Sequence, residues 1–168
     1  MHSIILSYGG MPLIYAGDEI GTLNDYSYQS ENAKKDDSRW VNRPKQDWQV
    51  IDNLEQGNTP QAHIYHSLKK LIGIRKNNPV FADHNNLILH QHHNPHLMVY
   101  ERTSTDHTGL LVICNFDDHV HGVEKSWLEK IGYGEDEEPT NLVSGEPLRL
   151  QSNHLEIGAN EFYWIIRN

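Results

Sequence analysis

Apolar residues follow two different patterns along the chain, and the change comes near Pro79. Before it, residues 13–16 form an unbroken apolar run between glycines, which is typical of a strand buried on both faces of a parallel sheet. After it, short runs rich in β-branched and aromatic residues recur about every ten residues, which is typical of an antiparallel β-sandwich. The pattern predicts a mixed α and β chain with two domains, residues 1–79 and 80–168.

The first domain is predicted to run helix, strand, long loop, helix. Residues 2–8 have the pattern of a helix end, and Gly9 and Gly10 permit the left-handed backbone that terminates it. A polar loop extends from residue 21 to about 58, a length that is uncommon in compact domains unless the loop has a function. Thr59 and Pro60 then provide the N-cap and first residue of an amphipathic helix. This order corresponds to one and a half units of an α/β repeat.

The second domain is predicted to contain eight short strands. Residues 110–114 are apolar throughout, which predicts a central strand, whereas residues 98–102 alternate and predict one face in water. Residues 132–138 carry four acidic side chains among glycines and predict a solvated loop. The predicted strands are residues 87–90, 97–102, 110–115, 119–123, 140–143, 148–150, 154–157 and 162–167.

Charge and cysteine content narrow the classes of partner. The formal net charge of -9 argues against nucleic acid and against an anionic membrane surface, because both require basic patches. No apolar stretch approaches the roughly 18–20 residues that span a bilayer. The single cysteine, Cys114, excludes an internal disulfide and is expected to be a buried, inert thiol. The compartment stays open between cytoplasmic and secreted.

Two adjacent carboxylates, Asp18 and Glu19, follow the predicted buried strand, where parallel α/β folds keep their functional loops. Neighbouring residues of a strand point to opposite faces, so the two carboxylates cannot act on one bond as an acid and a base. We expect one of them to bind loop backbone and the other to line a pocket wall.

The long loop contains a second cluster, in which residues 36–44 combine two carboxylates, two guanidiniums and an indole. Arginine holds a carboxylate or hydroxyls in a fixed fork, and tryptophan offers a flat face to a sugar ring. Two interpretations remain open from the residues alone: a substrate-binding loop with Asp37 and Arg39, or a solvated loop that pairs only with itself.

Five histidines at positions 84, 90, 92, 93 and 96 raise the question of a metal site. They are surrounded by asparagine and glutamine, and this favours a polar strand-loop-strand segment. The sequence also has no nucleophile elbow, phosphate-binding glycine loop or zinc-type Cys/His spacing. We therefore predict no metal and no cofactor.

The motifs GGMPLIYAGDEIGTLND and DDSRWVNRP together resemble the α-amylase superfamily of glycoside hydrolases, and within it the amylosucrases. The resemblance implies the end of a (β/α)8 barrel, with its last strand, a long loop and its last helix, followed by an antiparallel β-sandwich called domain C. Many relatives have Asp-x-Arg-Thr-Pro-Met-Gln-Trp after the eighth strand. This chain has Asp37-Ser38-Arg39-Trp40 followed by Arg43-Pro44, which is the amylosucrase-like feature.

Amylosucrases transfer glucose from sucrose to an α-1,4-glucan through a covalent glucosyl-enzyme, so the resemblance implies sucrose and α-glucan as partners. It also implies that Arg39 pairs with an aspartate from an earlier barrel loop and closes the glucose pocket. The superfamily's catalytic carboxylates belong to strands that this sequence lacks, so we assign no catalytic residue and expect no sucrose turnover by this polypeptide alone.

Two alternatives stay open. A sucrose hydrolase would use water instead of glucan as the acceptor. A free-standing carbohydrate-binding module would use Trp127, Tyr133 or Trp164 to stack on sugars. If the chain is a fragment of a barrel, its buried-type strand has open edges and would be a liability. We expect residues 3–20 to be disordered, refolded against the sandwich, or shared with a second copy of the chain through self-association.

Overall fold

The structure, a computed structural model, describes residues 1–55, 57–83, 85–105, 107–133, 140–148 and 150–167. The chain divides into two compact units, Met1–Pro12 with Leu71–Asn168, and Leu13–Lys70. These units are not the two predicted domains, and the predicted boundary after residue 79 stays a prediction. None of the described helices is both long enough and apolar enough to span a lipid bilayer.

The larger unit is an antiparallel β structure with two sheets. The elements of this unit are α1 (His2–Ser7), β1 (Leu87–His90), β2 (Leu97–Thr103), β3 (Gly109–Asn115), β4 (His121–Glu124), α4 (Lys125–Lys130), β5 (Thr140–Asn141), β6 (His154–Ile157) and β7 (Phe162–Arg167). Five strands form one sheet in the order β1-β2-β3-β7-β5, and β4 pairs with β6 in a second sheet.

One buried cluster joins the two sheets. The five-stranded sheet contributes Val99, Leu111 and Ile113, and the two-stranded sheet contributes Val123 and Ile157. All seven residues of β3 are buried, so the predicted central strand is confirmed. Its Cys114 is buried as expected, and this burial raises the pKa of the thiol to about 11.

The predicted wet face of β2 is wrong, because Glu101 and Arg102 are both buried. Arg102 Nε donates to Asn86 Oδ1 at 2.9 Å, and its NH1 group donates to the carbonyl of Ser7 at 3.2 Å. Glu101 accepts from the Tyr133 hydroxyl at 3.0 Å. Partners that are distant in sequence satisfy both charged groups, so neither needs water.

The helix at the start of the chain belongs to this unit, which is one of the three outcomes expected for residues 3–20, but residues 13–20 belong to the smaller unit. The Ser7 hydroxyl lies 2.5 Å from the Tyr100 hydroxyl, and Arg75 NH1 donates to the carbonyl of Leu6 at 2.6 Å. Gly9 and Gly10 have φ values of 140° and 67°, so the predicted glycine helix end is confirmed. Residues 2–7 are therefore packed against the sheet.

The smaller unit does not contain the predicted strand. Residues 11–15 have no regular secondary structure, and Leu13 is 81% exposed. The physical reason is that a parallel strand needs neighbours to bond its backbone, and no described strand pairs with this segment. The barrel end that the resemblance implies is thus not formed here as a strand.

The long polar loop is not structureless. It holds 3-10 helices at Asp18–Ile20, Ser27–Ser30 and Ser38–Asn42, and α2 at Trp48–Asp52. The amphipathic helix α3 (Pro60–Asn77) forms as predicted, and the Thr59 hydroxyl accepts from the backbone N–H of Ala62 at 3.2 Å. Residues up to Lys70 of α3 belong to this unit.

Two further strand and loop predictions meet the limits of the described residues. The predicted strand at 148–150 includes Arg149, which lies outside them, while Leu148 and Leu150 are in no strand. Most of the predicted acidic loop, residues 134–138, also lies outside them. The other seven predicted strands correspond to β1–β7 within a few residues, with β5 reduced to two residues.

Candidate functional site

The candidate site is a pocket of about 390 Å³ formed within the smaller unit. Ligand sites in proteins commonly have volumes of about 300–1,000 Å³, so the pocket could hold one sugar ring. Its walls combine the turn after residue 15 and the start of the long loop with the middle of that loop, residues 39–44. They include Tyr15, Asp18, Thr22, Arg39, Asn42 and Arg43.

Asp18 and Glu19 occupy one 3-10 turn at the edge of this pocket. Glu19 Oε2 accepts from the backbone N–H of Gly17 at 2.7 Å, while Asp18 lines the pocket wall and accepts from the N–H of Tyr15 at 3.3 Å. Glu19 thus binds backbone, as expected for one carboxylate, whereas Asp18 both binds backbone and lines the pocket. Gly17 permits the turn because its φ of 104° is a conformation that other residues avoid.

Arg39 and Asp37 form a two-pronged ion pair. Arg39 Nε donates to Asp37 Oδ1 at 2.8 Å, and its NH2 group donates to Oδ2 at 2.9 Å. The hydrogen bond from Arg39 lowers the pKa of Asp37, and the same bond raises the pKa of Arg39. The Arg39 side chain is 73% exposed. Arg39 thus pairs with a residue of its own loop, as the interpretation of a self-paired loop expects, and it also lines the pocket.

The indole of Trp40 does not offer its face to the pocket. Lys34 Nζ lies 5.0 Å from the ring centroid, and the Arg43 guanidinium lies 5.9 Å from it. Trp40 is absent from the pocket lining, which Tyr15 enters instead. Nothing local in the sequence indicates that two basic side chains lie over the Trp40 ring.

Several polar lining residues were missed from the sequence. Thr22 and Asn42 carry no motif of their own, and they reach the pocket only because the long loop folds back on the turn. A bond from the N–H of Asp25 to the carbonyl of Val41, at 2.9 Å, connects the two parts of the loop. Proximity to Asp18 and Arg39 in the sequence was the signal that could have found them.

The histidines are separated by the fold into different surroundings. His90 lies 3.2 Å from Glu101, and His96 lies 3.5 Å from Asp117. His92 and His93 both approach Glu124, a residue that the sequence argument did not connect with them. His84 lies outside the described residues.

The three aromatic residues that a carbohydrate-binding module would use differ in how far they are buried. Trp164 and Tyr133 are buried in the larger unit, with 0% and 2% of their surface exposed. Trp127 is partly buried against the core cluster. This burial removes two of the three features on which the module interpretation depended.

The geometry defines a mixed α and β protein with an antiparallel β unit and a polar pocket in a separate loop unit. Comparison with known proteins gives no matching family model. The chain is 28% identical over 123 residues to the glucosylglycerate phosphorylase of Escherichia coli (strain K12). That match covers 73% of this chain and 21% of the relative, so the chain spans about a fifth of the relative's length.

A solved structure supports the fold over nearly the whole chain. Trehalulose synthase MutB from Pseudomonas mesoacidophila MX-45 matches with a TM-score of 0.59 and 16% sequence identity. The match covers 98% of this chain and 37% of the synthase chain. It shows a shared fold, whose antiparallel sheets are those of the larger unit.

Proposed function

We propose that these residues act as the C-terminal part of an amylosucrase-like enzyme, which transfers glucose from sucrose to an α-1,4-glucan and releases fructose. The two motifs of the pocket loop support this proposal, since they are the segments that resemble amylosucrases. The similarity to a glucosylglycerate phosphorylase and the fold shared with a trehalulose synthase add support, because both belong to the α-amylase superfamily of glucosyl-transferring and isomerising enzymes.

The observation that carries the proposal is the chemistry of the pocket. Asp18 offers carboxylate oxygens as acceptors, and Arg39 offers N–H donors beyond the two that Asp37 binds. Acceptors and donors in one pocket suit the hydroxyl groups of a neutral sugar. The acidic balance of the chain also suits a neutral ligand better than an anionic one.

In this proposal the chain contributes one wall of the glucose site and no catalytic group. The nucleophile and the acid/base would come from parts of the enzyme outside these residues. The larger unit would brace the catalytic part as domain C. We therefore expect the chain alone to leave sucrose unchanged.

A phosphorylase is the second candidate, because the phosphorylase match is a sequence relation at 28% identity. Phosphate would then take the glucosyl group in place of glucan. A hydrolase would use water. The three enzymes differ in the molecule that accepts the glucosyl group, so the products of the reaction distinguish them.

The test is sucrose turnover by this chain and by the full-length reading frame that contains it, with and without glycogen or inorganic phosphate. We expect fructose and lengthened glucan from the full-length protein and no product from the chain. Glucose 1-phosphate would replace the transferase with the phosphorylase, and equal glucose and fructose would replace it with the hydrolase. No turnover of sucrose or other α-glucosides by the full-length protein would overturn the proposal.

Arg39 is the residue to change in the full-length enzyme. Hydrogen bonds to charged groups predict about a 10- to 100-fold loss of kcat/KM for Arg39→Ala. Lys45→Ala is the matched control, because Lys45 is an exposed cation of the same loop outside the pocket lining. Equal activity of the two variants would contradict a role for Arg39 at the pocket.

A further inference from the structure

Two histidines and a glutamate converge in the larger unit. His92 and His93 lie in the turn between β1 and β2, and Glu124 is the last residue of β4. His92 Nε2 lies 3.5 Å from Glu124 Oε2, and His93 Nε2 lies 3.4 Å from Glu124 Oε1. All three donor groups come within 4.8 Å of one another.

The buried member of this cluster lacks a hydrogen bond. The His92 side chain has 0% of its surface exposed, and its Nε2 atom makes no hydrogen bond with any residue that the structure describes. Glu124 Oε2, which it faces, is also buried and equally unbonded among the described residues. Buried polar atoms without partners are rare and costly, so this facing pair calls for an explanation.

The separations fit a shared cation better than a direct hydrogen bond. A direct N–H···O bond is about 2.7–3.2 Å long, shorter than both distances. Zinc binds imidazole nitrogen and carboxylate oxygen at about 2.0–2.2 Å, so two ligands at a tetrahedral angle lie about 3.4 Å apart. One cation would therefore satisfy both unbonded atoms at about their present separation.

Metal binding changes which ring nitrogen of His92 carries the proton. This change lowers the affinity for the metal and can itself be measured. The backbone N–H of Asn94 donates to His92 Nδ1 at 3.1 Å, so the neutral ring carries its proton on Nε2. Ligation through Nε2 must move that proton to Nδ1 and release the Asn94 bond. We expect this rearrangement to hold the affinity in the micromolar range.

A second cluster, formed by His96, Asp117 and His121, also has two imidazoles and a carboxylate but is less suited to a metal. His121 Nε2 lies 2.7 Å from Asp117 Oδ2, and its Nδ1 lies 3.0 Å from Asn94 Nδ2. Both nitrogens of this ring are thus engaged. The rings of His96 and His121 are stacked within 5° of parallel, so their lone pairs do not converge on one point.

We propose that His92, His93 and Glu124 form a site for a divalent transition metal ion of the zinc class, with water in the fourth position. Two imidazoles and a carboxylate are a donor set that such ions accept. The ion would connect the β1–β2 turn of the five-stranded sheet with β4 of the two-stranded sheet. Its role would be to stabilise the larger unit.

The test is a titration of the tag-free chain with Co²⁺, followed by its visible absorption, and competition by Zn²⁺. We expect one ion per chain, with at least a tenfold weaker affinity in His93→Gln and Glu124→Gln. His121→Gln and His63→Gln are the matched controls, since the first belongs to the second cluster and the second is exposed on α3. Both should bind as the wild type does.

Nitrogen chemical shifts of His92 provide a readout that a general loss of folding would not imitate. We expect the proton on Nε2 in the metal-free chain and on Nδ1 after one equivalent of Zn²⁺. No binding at 1 mM metal would overturn the proposal. Binding that survives in Glu124→Gln but not in His121→Gln would assign the ion to the second cluster and would overturn it too.

Discussion

The buried arginine of β2 gives the sharpest test of how the larger unit is held together. Arg102 is 0% exposed and donates to Asn86 Oδ1 and to the carbonyls of Ser7, Phe81 and Asp83. These acceptors belong to α1, to the 3-10 turn Pro79–Phe81 and to the segment after it. The substitution Arg102→Met keeps much of the volume and removes every one of these donors.

Two opposing effects set the size of the loss. Each buried acceptor left unbonded costs about 1–3 kcal/mol. Ser7 and Phe81 are buried, so water cannot replace the guanidinium there, whereas Asp83 is exposed and can be solvated again. Burial of the charged guanidinium is itself unfavourable, and this desolvation lowers the pKa of Arg102. Replacement by methionine removes that cost. We expect a net loss of about 2–4 kcal/mol in the free energy of unfolding, because the acceptors stay in place.

Cys114 provides the assay, since it is the single thiol of the chain and lies in the central strand of the same unit. Its labelling rate in increasing urea reports when this unit opens. Arg43→Met is the matched control and should lose at most about 1 kcal/mol, because Arg43 is exposed over Trp40. Arg102→Lys should lose at least as much as Arg102→Met, since an ammonium cannot span the four acceptors. A stable Arg102→Met variant, or full rescue by lysine, would refute this reasoning.

Three further predictions concern the capping of α3, alkaline pH and the pocket loop. Thr59→Ala should destabilise α3 by about 1 kcal/mol in urea unfolding, and Thr59→Ser should retain the cap. Burial raises the pKa of Cys114 from about 9 to about 11 and raises that of Tyr133 above 10, so stability should be complete below pH 9 and fall as the pH rises toward 11. Tyr133→Phe should flatten part of that fall in urea midpoints measured between pH 8 and 11. The bond from Arg39 depresses the pKa of Asp37, so its stabilising effect should be present above pH 3.8 and vanish only at lower pH. A carboxyl titration by NMR with a midpoint at or above 3.8 would contradict that pairing.

The strands of the larger unit could be predicted because each carries its own signal. β3 is apolar at nearly every position and becomes the buried centre of the sheet, and β6 alternates between buried and exposed residues. The apolar run at 13–16 carried the same kind of signal and failed. A run predicts burial only where neighbouring strands exist to provide it, and the pattern of one segment contains no information about its neighbours.

The buried charges of β2 show the same limit in another form. Glu101 and Arg102 are charged, and a prediction from the polar and apolar pattern places one face of their strand in water. They are buried because Tyr133, Ser7 and Asn86 approach them from segments far away in sequence. None of these three partners belongs to a recognisable sequence motif, so the hydrogen-bond network could not be predicted from local sequence.

The pocket and the proposed metal site differ in how far a sequence can lead. Asp18 and Arg39 lie within one loop, and short-range spacing was sufficient to select both as candidates. His92 and His93 are also neighbours in the sequence. Their third partner, Glu124, comes only after β2 and β3, at the end of β4. Spacing alone made the histidines look like a polar turn, because a ligand set drawn from two sheets exists only after those sheets pack. The donor sets most in need of a structure are therefore those that join one sheet to another.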